Sequence, residues 1–301
     1  MIWSRIRYRA KFQPIERSPV IDILLAPFQF EFFRNGTLAA LMVGGLCGLI
    51  GVYIVLRGMS YIGHGLSHAI FGGAVVSYLL AWNFYLGAGL WGFIAAVLIN
   101  QTVRRTKINA DAAIGVITTA SFATGVALIS RYRHFNRNFD AALFGNILGV
   151  TQSDVWVVAG VSLMIGGIIF FLYKQLLFTT FQAEVAEVYG VKTQWVDTMF
   201  ALILAAALIA SMQILGVTLI AAALVVPAIT ARLLTDSFDR MSVLSTLIGA
   251  LTGLIGMYLS YYIDIASGAS IVLLQATVFG IVLLITSLQK QAARRLVHTH
   301  V

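Results

Sequence analysis

The sequence predicts an all-α polytopic membrane protein with about eight or nine transmembrane helices. Three observations predict it. Hydrophobic residues make up 59% of the 301-residue chain and charged residues only 11%, where an ordinary soluble domain has about 25% charged. Apolar runs of about 20 residues, the length that spans a bilayer, recur along almost the whole chain. The ionisable side chains keep near the ends of those runs, except for His64 and His68, which sit inside one.

The elements follow in chain order. Residues 1–17 are basic, with Arg5, Arg7, Arg9, Lys11 and Arg17. No apolar core follows them closely enough for a cleavable signal peptide. Residues 20–33 read as an interfacial helix or entry segment, so residues 1–36 form an N-terminal tail and interfacial segment. Apolar segments then run over 37–56, 59–80, 85–103, 110–130, 154–173, 195–213, 215–234, 241–262 and 270–288. Ala141 to Val150 is too short to span and reads as a re-entrant or broken helix. Gly216 and Pro227 are placed to break the seventh segment, so the crossings number eight or nine. Irregular backbone at membrane depth requires protein or a cavity around it. The transmembrane domain covers 37–290, and 291–301 is a cytoplasmic tail. Gly44, Gly48 and Gly51 line one side of the first segment, where small residues let membrane helices meet backbone to backbone.

The net charge of +8 points to anionic lipid headgroups rather than nucleic acid, because the basic residues flank apolar segments. Basic loops favour the cytoplasm. Arg104, Arg105 and Lys107 put loop 104–109 inside, and Lys290, Arg294 and Arg295 put the C-terminus inside. Loops 174–194 and 232–240 follow them. Arg131, Arg133 and Arg137 then fall outside, as does the N-terminus if nine helices cross. The single cysteine, Cys47, excludes an intrachain disulfide framework and reads as a buried inert thiol.

Enzyme classes fare poorly. Every Asp and Glu lies in a loop, a tail or a segment end, including Asp111, Asp154, Glu184, Glu187, Asp197, Asp236, Asp239 and Asp264. No buried carboxylate pair remains for acid–base work. The chain has no phosphate loop for ATP, no His-Glu-x-x-His motif and no serine nucleophile elbow.

His64 and His68 carry the chemistry. Ionisable groups at membrane depth are costly and mark ion or substrate pathways. Residues four apart on a helix share a face, so both imidazoles can meet one ion. Gly63 and Gly65 flank the first histidine and suggest a locally loosened turn with freed carbonyls. The plainer reading is a pair of structural histidines bonded to neighbouring helices. A second element lies in 179–194. Phe181, Val185 and Val188 fall on one side of a short helix, Glu184 and Glu187 on another, and Gly190 stops it. Such a helix suits a groove on a soluble partner; the plainer reading is a solvated connector.

These residues resemble the membrane permease subunit of bacterial ABC importers for divalent metals, the zinc, manganese and iron group. The resemblance runs from about residue 37 to 290. It includes Arg57-Gly58-Met59-Ser60-Tyr61-Ile62-Gly63 leading into Leu66-Ser67-His68-Ala69, then Asp111-Ala112-Ala113-Ile114-Gly115 and Leu143-Phe144-Gly145-Asn146-Ile147-Leu148. Val188-Tyr189-Gly190-Val191-Lys192, Leu224-Val225-Val226-Pro227-Ala228-Ile229-Thr230-Ala231 and Asp264-Ile265-Ala266-Ser267-Gly268 complete it. Each motif is weak alone; their order and spacing are specific.

The resemblance implies a type II-like ABC importer permease fold in the cell (inner) membrane. It implies a homodimer of permeases, two cytoplasmic ATP-binding subunits and an extracytoplasmic metal-binding protein. The chain itself would then be no enzyme and would hold no permanent cofactor, only a transported Zn, Mn or Fe ion. Glu184, Glu187 and Gly190 match the place where the family couples to its ATPase, near 181–190. His68 and the position of His64 match residues that face the ion. Asn146 and Asp264 are candidates for the pathway or its gate. This chain departs from the family in His64 and Asn146, where Asp is common, and in Ala269, where Pro is common. Carboxylates suit Mn²⁺ whereas imidazoles suit Zn²⁺ and other late first-row ions, so manganese selectivity does not simply carry over. Protonation near the ordinary histidine value of about 6.5 would weaken a two-imidazole site. Two other classes compete: a secondary transporter or channel working without ATP, and an intramembrane metalloenzyme. The first lacks a buried acid for ion coupling. The second lacks the usual three protein ligands of catalytic zinc.

Overall fold

The computed structural model describes residues 25–106, 108–132, 145 and 149–298, of which 213 and 292–298 are described by backbone alone. Asn146 and six more of the ten residues 141–150 lie outside the described residues. A 3-10 turn, Ala26–Gln29, leads into α1, Glu31–Leu56. There follow α2 (Ile62–Leu79), α3 (Phe84–Arg105), α4 (Ala110–Arg131) and α5 (Gln152–Phe171). Two short helices, α6 (Tyr173–Phe181) and α7 (Ala183–Val188), precede α8 (Thr193–Leu215). The chain continues through α9 (Ile220–Leu234), α10 (Phe238–Ile263) and α11 (Ser267–His298). All nine predicted apolar segments are helices.

Seven of these helices are long and apolar enough to cross a membrane; α2 and α9 are not among them. These two lie within the bundle. The 18-residue α2 carries both histidines and packs against α3, α4, α8 and α9. The 15-residue α9 contains Pro227 in mid-helix. The break falls at Gly216, which ends α8, and not at Pro227. Proline removes one helical hydrogen bond, and tight burial among neighbouring helices tolerates that loss.

The glycine face of α1 sets the core. A Cβ on Gly44 would collide with the backbone of Gly249, and one on Gly48 with the carbonyl of Ser245. Gly253 meets the backbone of Ala40 in the same way. These pairs run in opposite directions along α1 and α10, so the two helices are antiparallel and in backbone contact over several turns. Ser245 Oγ also donates to the Gly48 carbonyl at 2.6 Å. Gly51 gives the same access to the Leu224 carbonyl of α9. Close approach maximises dispersion where no hydrophobic drive separates helix from lipid.

The bundle has two distinct ends. At the basic end, Arg57, Arg104, α6, α7 and the start of α8 come together, with Phe238 packed against Tyr53 and Phe181. At the aromatic end, Phe28 and Phe33 pack on Tyr258 near the close of α10. Tyr85 there donates to Asp154 at 2.6 Å, joining the starts of α3 and α5. Residues 25–30 lie at the aromatic end, opposite the basic one.

Candidate metal pathway and docking helix

His64 and His68 occupy the first two turns of α2, in its half nearer the basic end. Their Nε2 atoms stand 3.2 Å apart, and their rings meet edge to face. Two nitrogens bound at ~2.0–2.1 Å to one tetrahedral ion would be separated by ~3.3 Å. The pair as it stands therefore matches one edge of such a site. The ring of His68 also rests on Phe122 of α4, 4.9 Å between centroids. Its Nδ1 is buried and has no hydrogen-bond partner. His64 lies beside Tyr61 at the mouth of the helix.

The turn is regular, not loosened. The helix begins at Ile62, and Gly65 N–H donates to the Tyr61 carbonyl at 3.1 Å. The flanking glycines serve packing instead. A Cβ on Gly65 would strike the side chain of Ile114, and one on Gly63 would meet only the tip of Leu224 at 3.0 Å. Sequence alone could not separate these roles, because the partners come from α4 and α9. Ser67 fastens the pair further: its hydroxyl is shared between the His64 carbonyl at 2.8 Å and the Val217 carbonyl at 3.0 Å. The histidine helix is thus tied to the break between α8 and α9.

Among the described residues, no group of three or more His, Cys, Asp or Glu side chains gathers around a metal-sized space. The structure does not bring Asp264 to the histidines. Asp264 caps α10 at the aromatic end in a left-handed conformation, which Asp tolerates better than most residues. It lines a cavity of about 420 Å³ with Phe32, Phe33, Tyr261 and Ser267.

The predicted short helix is divided at Gln182: Phe181 ends α6, and Val185 and Val188 lie in α7. Phe181, Val185, Val188 and Tyr189 are all exposed, Val188 at 85% and Tyr189 at 77%. Together they form an exposed apolar patch at the basic end. Gly190 stops the helix at φ +81°. Its N–H donates to the Glu187 carbonyl and the Val191 N–H to that of Ala186, both at 2.9 Å, the bonding of a glycine-ended helix. Glu187 is not free: its carboxylate accepts the Thr193 hydroxyl at the start of α8. Glu184 is exposed.

One cluster escapes a reading of the sequence. Arg57, at the end of α1, pairs with Asp197 of α8 at 2.9 Å, and Arg104 of α3 pairs with the other oxygen of the same carboxylate. In the sequence Asp197 is an ordinary segment-end acid. Its partner Arg57 is 140 residues away in the chain. The only sequence signal is that these charges sit at helix ends predicted on one side.

Fold and site together define a multi-pass helical membrane protein with a close imidazole pair on a buried helix and an exposed apolar helix at its basic end. The chain belongs to the ABC 3 transport family, whose model matches residues 29–286. It is similar to the manganese transport system membrane protein MntC of Halalkalibacterium halodurans, with 36% identity over 252 residues, 84% of this chain and 86% of that protein. It is 35% identical over 264 residues to a Haemophilus influenzae protein named "Probable iron transport system membrane protein", covering 88% of this chain and 97% of the other. Among solved structures, PsaBC from Streptococcus pneumoniae in complex with Fab matches with a TM-score of 0.79 at 33% identity, over 87% of this chain and 95% of that one.

Proposed function

We propose that this chain is the transmembrane subunit of an ATP-driven importer of divalent transition-metal ions. The observation that carries the reading is the 3.2 Å separation of the His64 and His68 Nε2 atoms on a buried helix. Two imidazoles supply half a tetrahedral set, which favours passage over storage: an ion that fills the rest of its shell with water or a symmetry mate's ligands can leave again. Names of relatives support manganese or iron as cargo, whereas the imidazole pair gives zinc weight. Two copies of this permease would form the pathway, with Asn146 and Asp264 as further pathway or gate residues. An extracytoplasmic metal-binding protein would deliver the ion at the aromatic end. A separate ATP-binding subunit would hydrolyse ATP and dock on α7 through Glu184, Glu187 and the turn at Gly190. The exposed valines and tyrosine of α7 support that docking and weigh against an ATP-independent transporter.

The test is uptake by the permease reconstituted with its ATPase and binding protein, comparing Zn²⁺, Mn²⁺ and Fe²⁺. His68→Ala is expected to abolish uptake while the complex still assembles. His64→Asp is expected to shift preference from Zn²⁺ toward Mn²⁺. Normal uptake by His68→Ala would remove the histidines from the pathway.

A further inference from the structure

Arg57 bonds to the helix that leads into the docking helix and, along the chain, stands five residues before the start of the histidine helix. Its side chain is only 9% exposed. Nε donates to the Thr180 hydroxyl at 3.0 Å and one terminal nitrogen to the Thr179 hydroxyl at 2.9 Å. The other terminal nitrogen pairs with Asp197, and the guanidinium carbon lies 4.6 Å from the centre of the Phe200 ring. Both threonine hydroxyls donate back to carbonyls of their own helix, Thr180 to Leu176 and Thr179 to Gln175 and Leu176. They therefore face Arg57 as acceptors, and their orientation is fixed from both sides. Each of the three guanidinium nitrogens thus makes one hydrogen bond, a planar fork that a lysine could not reproduce.

The connections on either side of the fork are short. Thr179 and Thr180 lie in the last turn of α6, and one residue, Gln182, separates α6 from α7. Arg57 is followed by Gly58, at φ +66° with nothing within 4 Å of where a Cβ would stand. Four residues, 58–61, then lead into α2 and His64. A displacement of α7 is passed through α6 to the fork. There it meets a stiff helix behind, α1 seated on α10, and a glycine turn ahead whose backbone is bonded back to α1, Gly58 N–H to the Val55 carbonyl and Met59 N–H to the Ile54 carbonyl.

We infer that Arg57 is a positioning residue that links the docking helix to the histidine helix, so that movement of α7 shifts α2 about the Gly58 turn. This rests on the transport reading above. The link runs through hydrogen bonds and one ion pair, all of which can be altered without touching the histidines or the docking surface.

The experiment replaces the two hydroxyls and keeps the ion pair. In the assembled transporter, with Zn²⁺ or Mn²⁺ as the probe ion, Thr179→Val with Thr180→Val is expected to leave ATP hydrolysis near its normal rate. Ion uptake is expected to fall about tenfold, the scale of coupling lost along such contacts. ATP consumed per ion therefore rises. Thr179→Ser with Thr180→Ser restores both hydroxyls and should restore the ratio, which a mere packing defect would not predict. Uptake and hydrolysis falling in equal proportion, or neither changing, would overturn the inference.

A second readout uses the permease alone. Spin labels at Val188→Cys and Tyr61→Cys report the distance from α7 to the start of α2. Cys47 is buried and takes no label. One narrow distance is expected with the threonines present and a broadened one with the valines; an unchanged distribution would overturn the link. Should the wild-type assembly show no ATP-driven uptake, the transport reading fails, and the label distances still decide whether Arg57 joins the two elements.

Discussion

The seam between α1 and α10 and the seat of α2 both use glycine, and they use it differently. In the seam, Gly44, Gly48, Gly249 and Gly253 face backbone atoms of the opposing helix. Backbone cannot rotate away, so any added atom must push apart both 26-residue helices. In the histidine turns of α2, Gly63 and Gly65 face side chains, Leu224, Ile114 and Thr118, whereas Gly72 and Gly73 further along the helix face the Ser121 and Gly87 carbonyls of α4 and α3. The lesson is that backbone contact fixes the seam and the far half of α2, while the turns that carry the histidines rest on side chains, where a small shift is cheaper.

The contrast breaks most visibly at Gly249→Val. Its Cβ enters the space of the Gly44 carbonyl. Overpacking usually costs about 1–3 kcal/mol and sometimes more, and with backbone on both sides the upper end, about 3 kcal/mol, is expected. Thermal unfolding in detergent, or the yield of monodisperse protein, reads it. A stability close to wild type would mean that α1 and α10 are not in backbone contact.

Next comes Gly65→Val. Here the added atoms meet the side chains of Ile114 and Thr118 rather than backbone, so the cost should be smaller, about 1–2 kcal/mol, and folded protein should be recovered. The effect should appear in function. Pushing α4 away from α2 shifts Phe122, which rests on His68, and metal uptake should drop several-fold at unchanged expression. Equal destabilisation by Gly65→Val and Gly249→Val would erase the distinction between seam and seat.

Much of this was legible in the sequence because a bilayer permits few solutions. Nine apolar runs became nine helices, since hydrocarbon forces every backbone group to pair within its own segment. The Gly44, Gly48, Gly51 face was legible because spacings of three and four repeat on one side of a helix. The imidazole pair followed from the same periodicity. What failed to show depended on distant partners. Gly63 and Gly65 read locally as a loosened turn, because Ile114, Thr118 and Leu224 come from other segments. Pro227 read as a breaker, since its tolerance comes from the helices packed around it. Arg57 stood in a motif without a role and Asp197 read as an ordinary segment-end acid until the fold set them 2.9 Å apart. Asp264 belongs to the same family pattern as the histidines and yet stands at the other end of the bundle.

The finest test is Gly63→Ala. The new methyl would meet only the Leu224 Cδ1 at 3.0 Å, the far end of a flexible side chain. Against that small clash stands a gain in helix propensity of up to about 1 kcal/mol. The two nearly cancel, and stability in a thermal melt should move by no more than about 0.5 kcal/mol. If α2 keeps one position against α9 throughout the cycle, uptake stays within about twofold of wild type, because nothing near His64 has changed except a methyl. That outcome would oppose a shift of α2 against α9; the expected outcome is the other one. If instead stability holds while uptake falls several-fold, Leu224 and Gly63 must slide past one another during transport. The contact between α2 and α9 would then belong to the moving parts, and the boundary between fixed and moving contacts would shift to the far side of α9, where Gly51 meets the Leu224 carbonyl.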